Sequence, residues 1–239
     1  MTEPIPIQRA RSALAGGESR RGPARIYVYA AIRDAIVRTE LAPGARLSEN
    51  ELGQQLGVSR TPVREALGRL RDDRLVEVVP QLGTFVSRIS VRAIGEAQFI
   101  REALECAAVR QGAELAGDDQ ITALEQNLAA QKRATESGDI EAWYLLDEAY
   151  HHALCDLSGH PTVWSVSERA KSHINRVRRI SLTLPDYLPE RLAEHGEIVD
   201  AIAAHEARPA EETLRHHLRM VLGEVARIRD QHPEYFEEL

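Results

Sequence analysis

Residues Val58–Asp73 read VSRTPVREALGRLRDD, and LSENELGQQLG (Leu47–Gly57) stands directly before them. Ser48 and Glu51 have the spacing of a capping box, so a short helix starts there and Gly57 ends it. A second helix opens within three residues, at Ser59 or Thr61. Pro62 lies in its first turn, where a missing N–H costs little. Ahead of this pair, apolar residues recur at helical spacing from Ile26 through Ala30, Ile32 and Ile36, up to the break at Pro43-Gly44. Behind it, RLVEVVPQLGTFVSRI (Arg74–Ile89) is β-branched and alternating, with a Pro-Gln-Leu-Gly turn between two short strands. Helix, helix, three-residue turn, helix and hairpin make a winged helix-turn-helix over residues 25–90.

The chain around this unit reads differently. Residues 1–24 hold Pro, Gly, Ser and scattered Arg without hydrophobic period, and a disordered arm is expected there. From residue 91 to about 232 the pattern is helical throughout. Turn signals at AGDD, ESGD, SGHP, TLPDYLP and EARP divide it into about six helices, with 233–239 as a tail. The expected fold is therefore mainly α: a winged head with a small hairpin, and an all-α bundle.

The formal net charge of the 239 residues is −7, but it is unevenly spread. Residues 1–90 carry 14 Arg, no Lys and 10 acidic residues; the rest carries 16 basic and 27 acidic residues. A basic front on an acidic body suits a partner of high negative charge at the front only. No stretch approaches the ~18 apolar residues of a membrane span, and no apolar segment of a secretory signal opens the chain. Cys106 and Cys155 are far apart in sequence and outside any C-x-x-C, which fits packed thiols in a reducing cytoplasm.

In a helix-turn-helix the second helix enters the major groove N-terminus first. Here that first turn offers Ser59, Arg60, Thr61 and Arg64. Arginine can engage guanine O6 and N7 bidentately, while hydroxyls and helix N-terminal amides suit phosphate. Arg60 and Arg64 are one turn apart and share a face, while Ala66, Leu67 and Leu70 face inward. The wing, Gln81 to Thr84, is placed to lie along the backbone or the minor groove. Two solvated arginines are the plain alternative; the hydroxyl start, the local charge and the hairpin favour DNA.

The body carries polar residues where its helices should be apolar. In AQFIREALECAAVRQGAEL the expected buried set is Phe99, Ile100, Leu104, Ala107 and Ala108. Arg101 stands beside that stripe, four residues before Glu105, the spacing of a helical ion pair. In DIEAWYLLDEAYHHALCDL the stripe is Trp143, Leu146, Tyr150, Leu154 and Leu157; Asp147 and His151 flank it at i,i+4, a spacing that presents carboxylate and imidazole to one ion. His195 completes the apolar stripe Leu188, Leu192, Val199, Ile202. His217 joins the inward set Leu214, Leu218, Val221, Val225, with His216 further round. Three helices thus direct metal-capable groups inward. A shared cation, or separate hydrogen bonds to core histidines, would satisfy them.

The run PGARLSENELGQQLGVSRTPVREALGRLRDDRLVEVVPQLGTFV resembles the DNA-binding domain of GntR-type bacterial transcription regulators. LDEAYHHAL, EHGEIVDAI and HHLRMVL resemble the ligand-sensing FCD domain of the FadR subfamily. Together the two resemblances cover residues 26–232, and six body helices point to the VanR-like branch. The resemblance implies that Ser59, Arg60, Thr61 and Arg64 belong to the recognition helix and Gly83 to the wing tip. Asn50 departs from a frequent Arg, which removes one phosphate or base contact, and Arg74 stands where a Gly is usual. It further implies a divalent cation, often zinc, on Asp147, His151, His195 and His217, with a small organic acid beside it and Arg101 on the acid's carboxylate. His160 replaces a frequent Asn.

The function expected from all this is a cytoplasmic, homodimeric transcription regulator, in the repressor mode, on a palindromic operator in double-stranded DNA. A small carboxylate or sugar acid at the metal site would control it. Nickel and manganese also suit three histidines and an aspartate. The alternatives are a pure metal sensor, a structural metal, or a metal-dependent hydrolase, against which no spare general base accompanies the ligands.

Overall fold

The computed structural model describes residues 24–238, so residues 1–23 of the expected arm lie outside it; Ala24 already begins the first helix. The chain divides into two compact units between Val91 and Arg92, and the segment from Arg229 onward packs with the first.

The first unit opens with α1, Ala24–Val37. Its buried face is Val28, Ala31, Ile32, Ala35 and Ile36. Ile26 and Ala30, which the apolar spacing placed inside, are exposed, because they lie on the opposite side of the same turns. A strand β1, Arg46–Leu47, precedes α2, Glu49–Leu56. Ser48 caps α2, its Oγ accepting from Glu51 N at 3.4 Å, and Gly57 ends it at φ 68°, a conformation a side chain resists.

The next helix, α3, spans Arg60–Asp72 and buries Val63, Ala66, Leu67 and Leu70. Its far end is pinned to α1. The Tyr29 hydroxyl donates to Asp73 at 2.5 Å, and the Arg69 guanidinium lies 4.0 Å over the Tyr29 ring. Strands β2, Val76–Val79, and β3, Gly83–Val86, form the hairpin. In the sheet β3 is central, antiparallel to both neighbours, with Val79 opposite Gly83 and Arg46 opposite Phe85. The sequence reading missed β1, since two residues after a Pro-Gly turn give no alternation to read. Arg74 has φ 59°, so the glycine expected there is replaced by a side chain held in the left-handed region.

The described part of the expected tail, residues 233–238, is structured. A short 3₁₀ turn at Pro233–Tyr235 brings Phe236 beside Ile89. Ile89 N donates to Tyr235 O at 2.8 Å, Glu237 N donates to Ile89 O at 3.1 Å, and both apolar side chains are buried.

The second unit is helical. Its helices are α4, Val91–Ala113; α5, Asp118–Ser137; α6, Ile140–Asp156; α7, Thr162–Ala170; α8, Ser172–Ser181; α9, Tyr187–Ala203; and α10, Ala207–Gln231. The described residues thus give seven body helices where six were expected, so the count that pointed to the VanR-like branch changes. The break falls at Lys171, whose backbone sits at ψ 1°. Its ammonium is fully buried, bonds Glu148 at 2.9 Å and Glu168 at 3.1 Å, and lies 3.9 Å over the Trp164 ring. An apolar core runs along Cys106, Val109, Tyr150, Leu154, Ile198, Ile202, Leu214 and Leu218. Both cysteines are free and buried. No helix among the described residues is long and apolar enough to cross a membrane.

The inner face of α4 corrects the sequence reading. Phe99 is 76% exposed, Ala107 is exposed, and Ile100 and Leu104 are only half-buried; Ala108 is buried. The face turned inward is Ile94, Ala97, Gln98, Arg101, Glu105, Cys106, Ala108 and Val109. It carries an ion pair, so apolar periodicity rotates the helix wrongly.

Candidate functional site

The head presents Asn50, Ser59, Arg60, Thr61, Arg64 and Gln81 to solvent, and half-buries Gly83. The first five gather at the N-terminal ends of α2 and α3. Gln81 and Gly83 stand at the wing turn, with φ of 64° and 125°. A partner the sequence did not reveal is Glu49, the first residue of α2. Its carboxylate accepts from Arg60 Nε at 3.2 Å and Nη2 at 3.0 Å, and from Arg64 Nε at 3.1 Å and Nη2 at 3.0 Å. Hydrogen bonding to Arg64, and then to Arg60, lowers the Glu49 pKa in spite of its partial burial.

In the body, the structure brings together the imidazoles that lie on three helices. His195 Nε2 and His151 Nε2 each lie 3.3 Å from His217 Nε2. All three rings are buried. Asp147 Oδ1 lies 3.6 Å from His195 Nε2 and 3.8 Å from His151 Nε2, and its other oxygen is held by Arg178 Nη2.

Two of the opposite ring nitrogens are matched to side-chain oxygens. His195 Nδ1 meets Gln131 Oε1 at 2.8 Å and His217 Nδ1 meets Glu194 Oε2 at 2.7 Å. His151 Nδ1 lies 3.2 Å from Glu105 Oε2, off the line of a good hydrogen bond. For His195 and His217 an acceptor at Nδ1 places the proton there and turns the Nε2 lone pairs toward each other. Burial, and then neighbouring cationic groups, hold His195 and His217 well below the ordinary histidine pKa, so both are neutral at pH 7. The facing lone pairs of His195 and His217 repel, and a cation shared with His151 would relieve this. Nitrogens ~2.0–2.1 Å from a tetrahedral zinc stand about 3.3 Å apart; the two separations to His217 are 3.3 Å, and all three donor atoms lie within 4.8 Å of one another. The donor set therefore fits a divalent ion.

A narrow cleft adjoins the cluster; its enclosed space is only about 20 Å³, within about 390 Å³ that includes open solvent. Asp147 and His217 form part of its wall, with Arg101, Arg178, Arg191, Trp143, Tyr144 and Tyr187 among the other lining residues. Arg101 Nε and Nη2 bond Glu105 at 2.9 and 3.3 Å, the helical pair its spacing suggested. Burial would raise the Glu105 carboxyl, but Arg101 and His151 hold it well below the usual range. Trp143 Nε1 and Arg191 Nε are buried there without a hydrogen-bond partner. The sequence reading missed Arg178 and Arg191, which lie 31 and 44 residues from Asp147 with no motif to join them. His160 is exposed in the turn after α6 and is not among the cavity's lining residues.

A winged head with an exposed arginine face, on a helical body that encloses a polar cavity, is the architecture of a DNA-binding transcription regulator rather than an enzyme. The chain belongs to the GntR family. Residues 26–86 match the model of bacterial regulatory proteins, gntR family, and residues 96–220 match the FCD domain. It is 41% identical to an HTH-type transcriptional regulator in an unstable DNA locus of Streptomyces ambofaciens, over 87% of this chain and 88% of that one. It is 32% identical to the HTH-type transcriptional repressor RspR of Escherichia coli, over 90% and 95%. The crystal structure of a putative GntR transcriptional regulator from Rhodococcus sp. RHA1 is similar, with TM-score 0.72, 28% identity and coverage of 84% and 97%.

Proposed function

We propose that this regulator is a homodimeric repressor released from a palindromic operator by a small carboxylate or sugar acid. The acid would bind beside a divalent cation held by His151, His195, His217 and Asp147. The observation that carries the reading is the convergence of the Nε2 atoms of three buried histidines, two of which, His195 and His217, have their Nδ1 atoms on side-chain oxygens. A bound cation would supply Lewis acidity toward a carboxylate oxygen.

The chain's own residues do the rest. Gln131, Glu194 and Glu105 orient the rings, and Arg178 orients Asp147. Arg101, Arg178 and Arg191 surround the cavity with guanidinium charge suited to an anion. The buried, unpartnered N–H groups of Trp143 and Arg191 favour an acceptor-rich effector over a pure metal sensor, since a buried donor without an acceptor is costly. Two copies would place two heads on a two-fold operator. Release would follow only as far as the acid discriminates between the two arrangements of the heads.

The test is bound-metal analysis of wild type and His195→Ala, with a thermal-shift screen of small carboxylates and sugar acids run with and without chelator. An acid at ~100 times its dissociation constant adds about 2.7 kcal/mol. The reading expects metal in the wild type, loss of it in His195→Ala, and a metal-dependent shift with one acid class. Full metal content in the mutant refutes the ligand set. A shift with metal but with no acid makes the cation the signal or a structural staple.

A further inference from the structure

Arg60 and Arg64 are exposed, and nothing about their positions on α3 requires that they touch each other's partner. Yet both turn the same edge of the guanidinium, Nε and Nη2, to the single carboxylate of Glu49. Arginine has five N–H donors in a fixed plane, so occupying the Nε–Nη2 edge leaves both N–H groups of Nη1 and the second N–H of Nη2 to read a base. Glu49 is less exposed than either arginine, 27% against 60% and 67% at the side chain, so it lies behind them rather than in front. It is the first residue of α2, next to the Ser48 cap, where the helix N-terminus favours a carboxylate.

We propose that Glu49 is a specificity-determining residue of the DNA-reading face. It holds Arg60 and Arg64 by their inner edges, so that their outer N–H donors, one helical turn apart, meet guanine O6 and N7. Its negative charge at the same time opposes docking of those arginines on phosphates. Free of Glu49, each arginine can swing to the nearest phosphate, which adds affinity for any sequence and information about none. With Glu49, the three side chains carry one net positive charge instead of two. The inference rests on α3 being the recognition helix, and the experiment separates the two claims.

The full-length wild type and the Glu49→Gln and Arg64→Ala variants are each used to select binders from a randomised duplex library. Their affinity for an unselected random-sequence duplex is then measured across a salt series. Glu49→Gln keeps the side chain's shape at an exposed helix start, and circular dichroism checks that the head stays folded. The expected result for Glu49→Gln is tighter binding to random duplex and a log–log salt slope steeper by about 0.9, the value for one added phosphate contact. Its selected sequences should also lose guanine at positions the wild type fixes. Glu49→Asp, which keeps the charge on a shorter arm, should keep the wild-type salt slope. If Glu49→Gln matches wild type in slope and selected sequence, or weakens binding to all sequences alike, Glu49 only braces the helices and the proposal falls. If Arg64→Ala also binds as wild type does, the recognition-helix reading falls with it.

Discussion

Gly112 on α4 lies against the end of α6. A Cβ built there would stand 2.3 Å from Leu157 Cβ, 2.7 Å from Leu157 C and 3.0 Å from Leu157 O. Carbon atoms in contact prefer about 3.5–4.0 Å, so alanine intrudes by more than about 1 Å on atoms that include backbone. No rotamer change of Leu157 moves its carbonyl, and the two elements must separate. Overpacking of this kind costs about 1–3 kcal/mol, and backbone contact places it at the upper end. Against it stands the helix propensity of alanine over glycine, about 1 kcal/mol. Gly112→Ala should therefore destabilise the body by about 2 kcal/mol.

Gly223 on α10 supplies the control. It is exposed, with nothing within 4 Å of a built Cβ, so Gly223→Ala should gain the propensity alone, about 0.5–1 kcal/mol. The assay is urea unfolding by circular dichroism at fixed protein concentration with chelator present, because oligomerisation and metal both shift apparent stability. The two variants should move the midpoint in opposite directions with unchanged m. A Gly112→Ala protein as stable as Gly223→Ala would refute the close approach of α4 to Leu157.

Arg176 on α8 is fully buried, its three guanidinium nitrogens have no hydrogen-bond partner, and burial pushes its pKa down to about 10. It remains charged at pH 7, so Arg176→Met should stabilise the body by about 1–3 kcal/mol in thermal unfolding; a loss of stability would mean the guanidinium has an anionic partner in solution. Hydrogen bonds from Arg219, and then from Arg215, hold the Glu102 carboxyl down to about 2 in the folded protein. A depressed carboxylate pKa contributes stability above about 4.5 that is lost as the pH falls toward about 2. Glu102→Gln should flatten the acid side of a stability–pH curve in that window, and an unchanged curve would remove the pair from the account.

The head was legible in the sequence because its signals are local. A Ser-x-x-Glu cap, a glycine stop, Pro62 in the first turn and alternating β-branched residues each fix a few neighbouring dihedrals. Together they admit one order of elements. The convergence of the histidines was legible for a related reason: Asp147 and His151 share a helix face by spacing, while His195 and His217 interrupt apolar stripes where a side chain must point inward. The stripe on α4 misled because its inner face carries Gln98, Arg101 and Glu105, and hydrophobicity cannot orient a helix whose charges are paired inside. The seventh helix was hidden likewise, since the break at Lys171, whose buried ammonium pairs with Glu148 and Glu168, carries no glycine or proline.

By itself, then, the sequence determined the winged head, the helical body and the residue types able to hold an ion, all of which follow from contacts a few residues apart. The tertiary structure alone decided which polar groups meet. Gln131, Glu194 and Glu105 reach the three imidazoles from 64, 23 and 46 residues away, Arg178 reaches Asp147 across 31, and Glu49 crosses the turn to grip both Arg60 and Arg64. Charge and hydrogen bonding act through space over a few ångströms and leave no period in the chain; only folding brings such partners together.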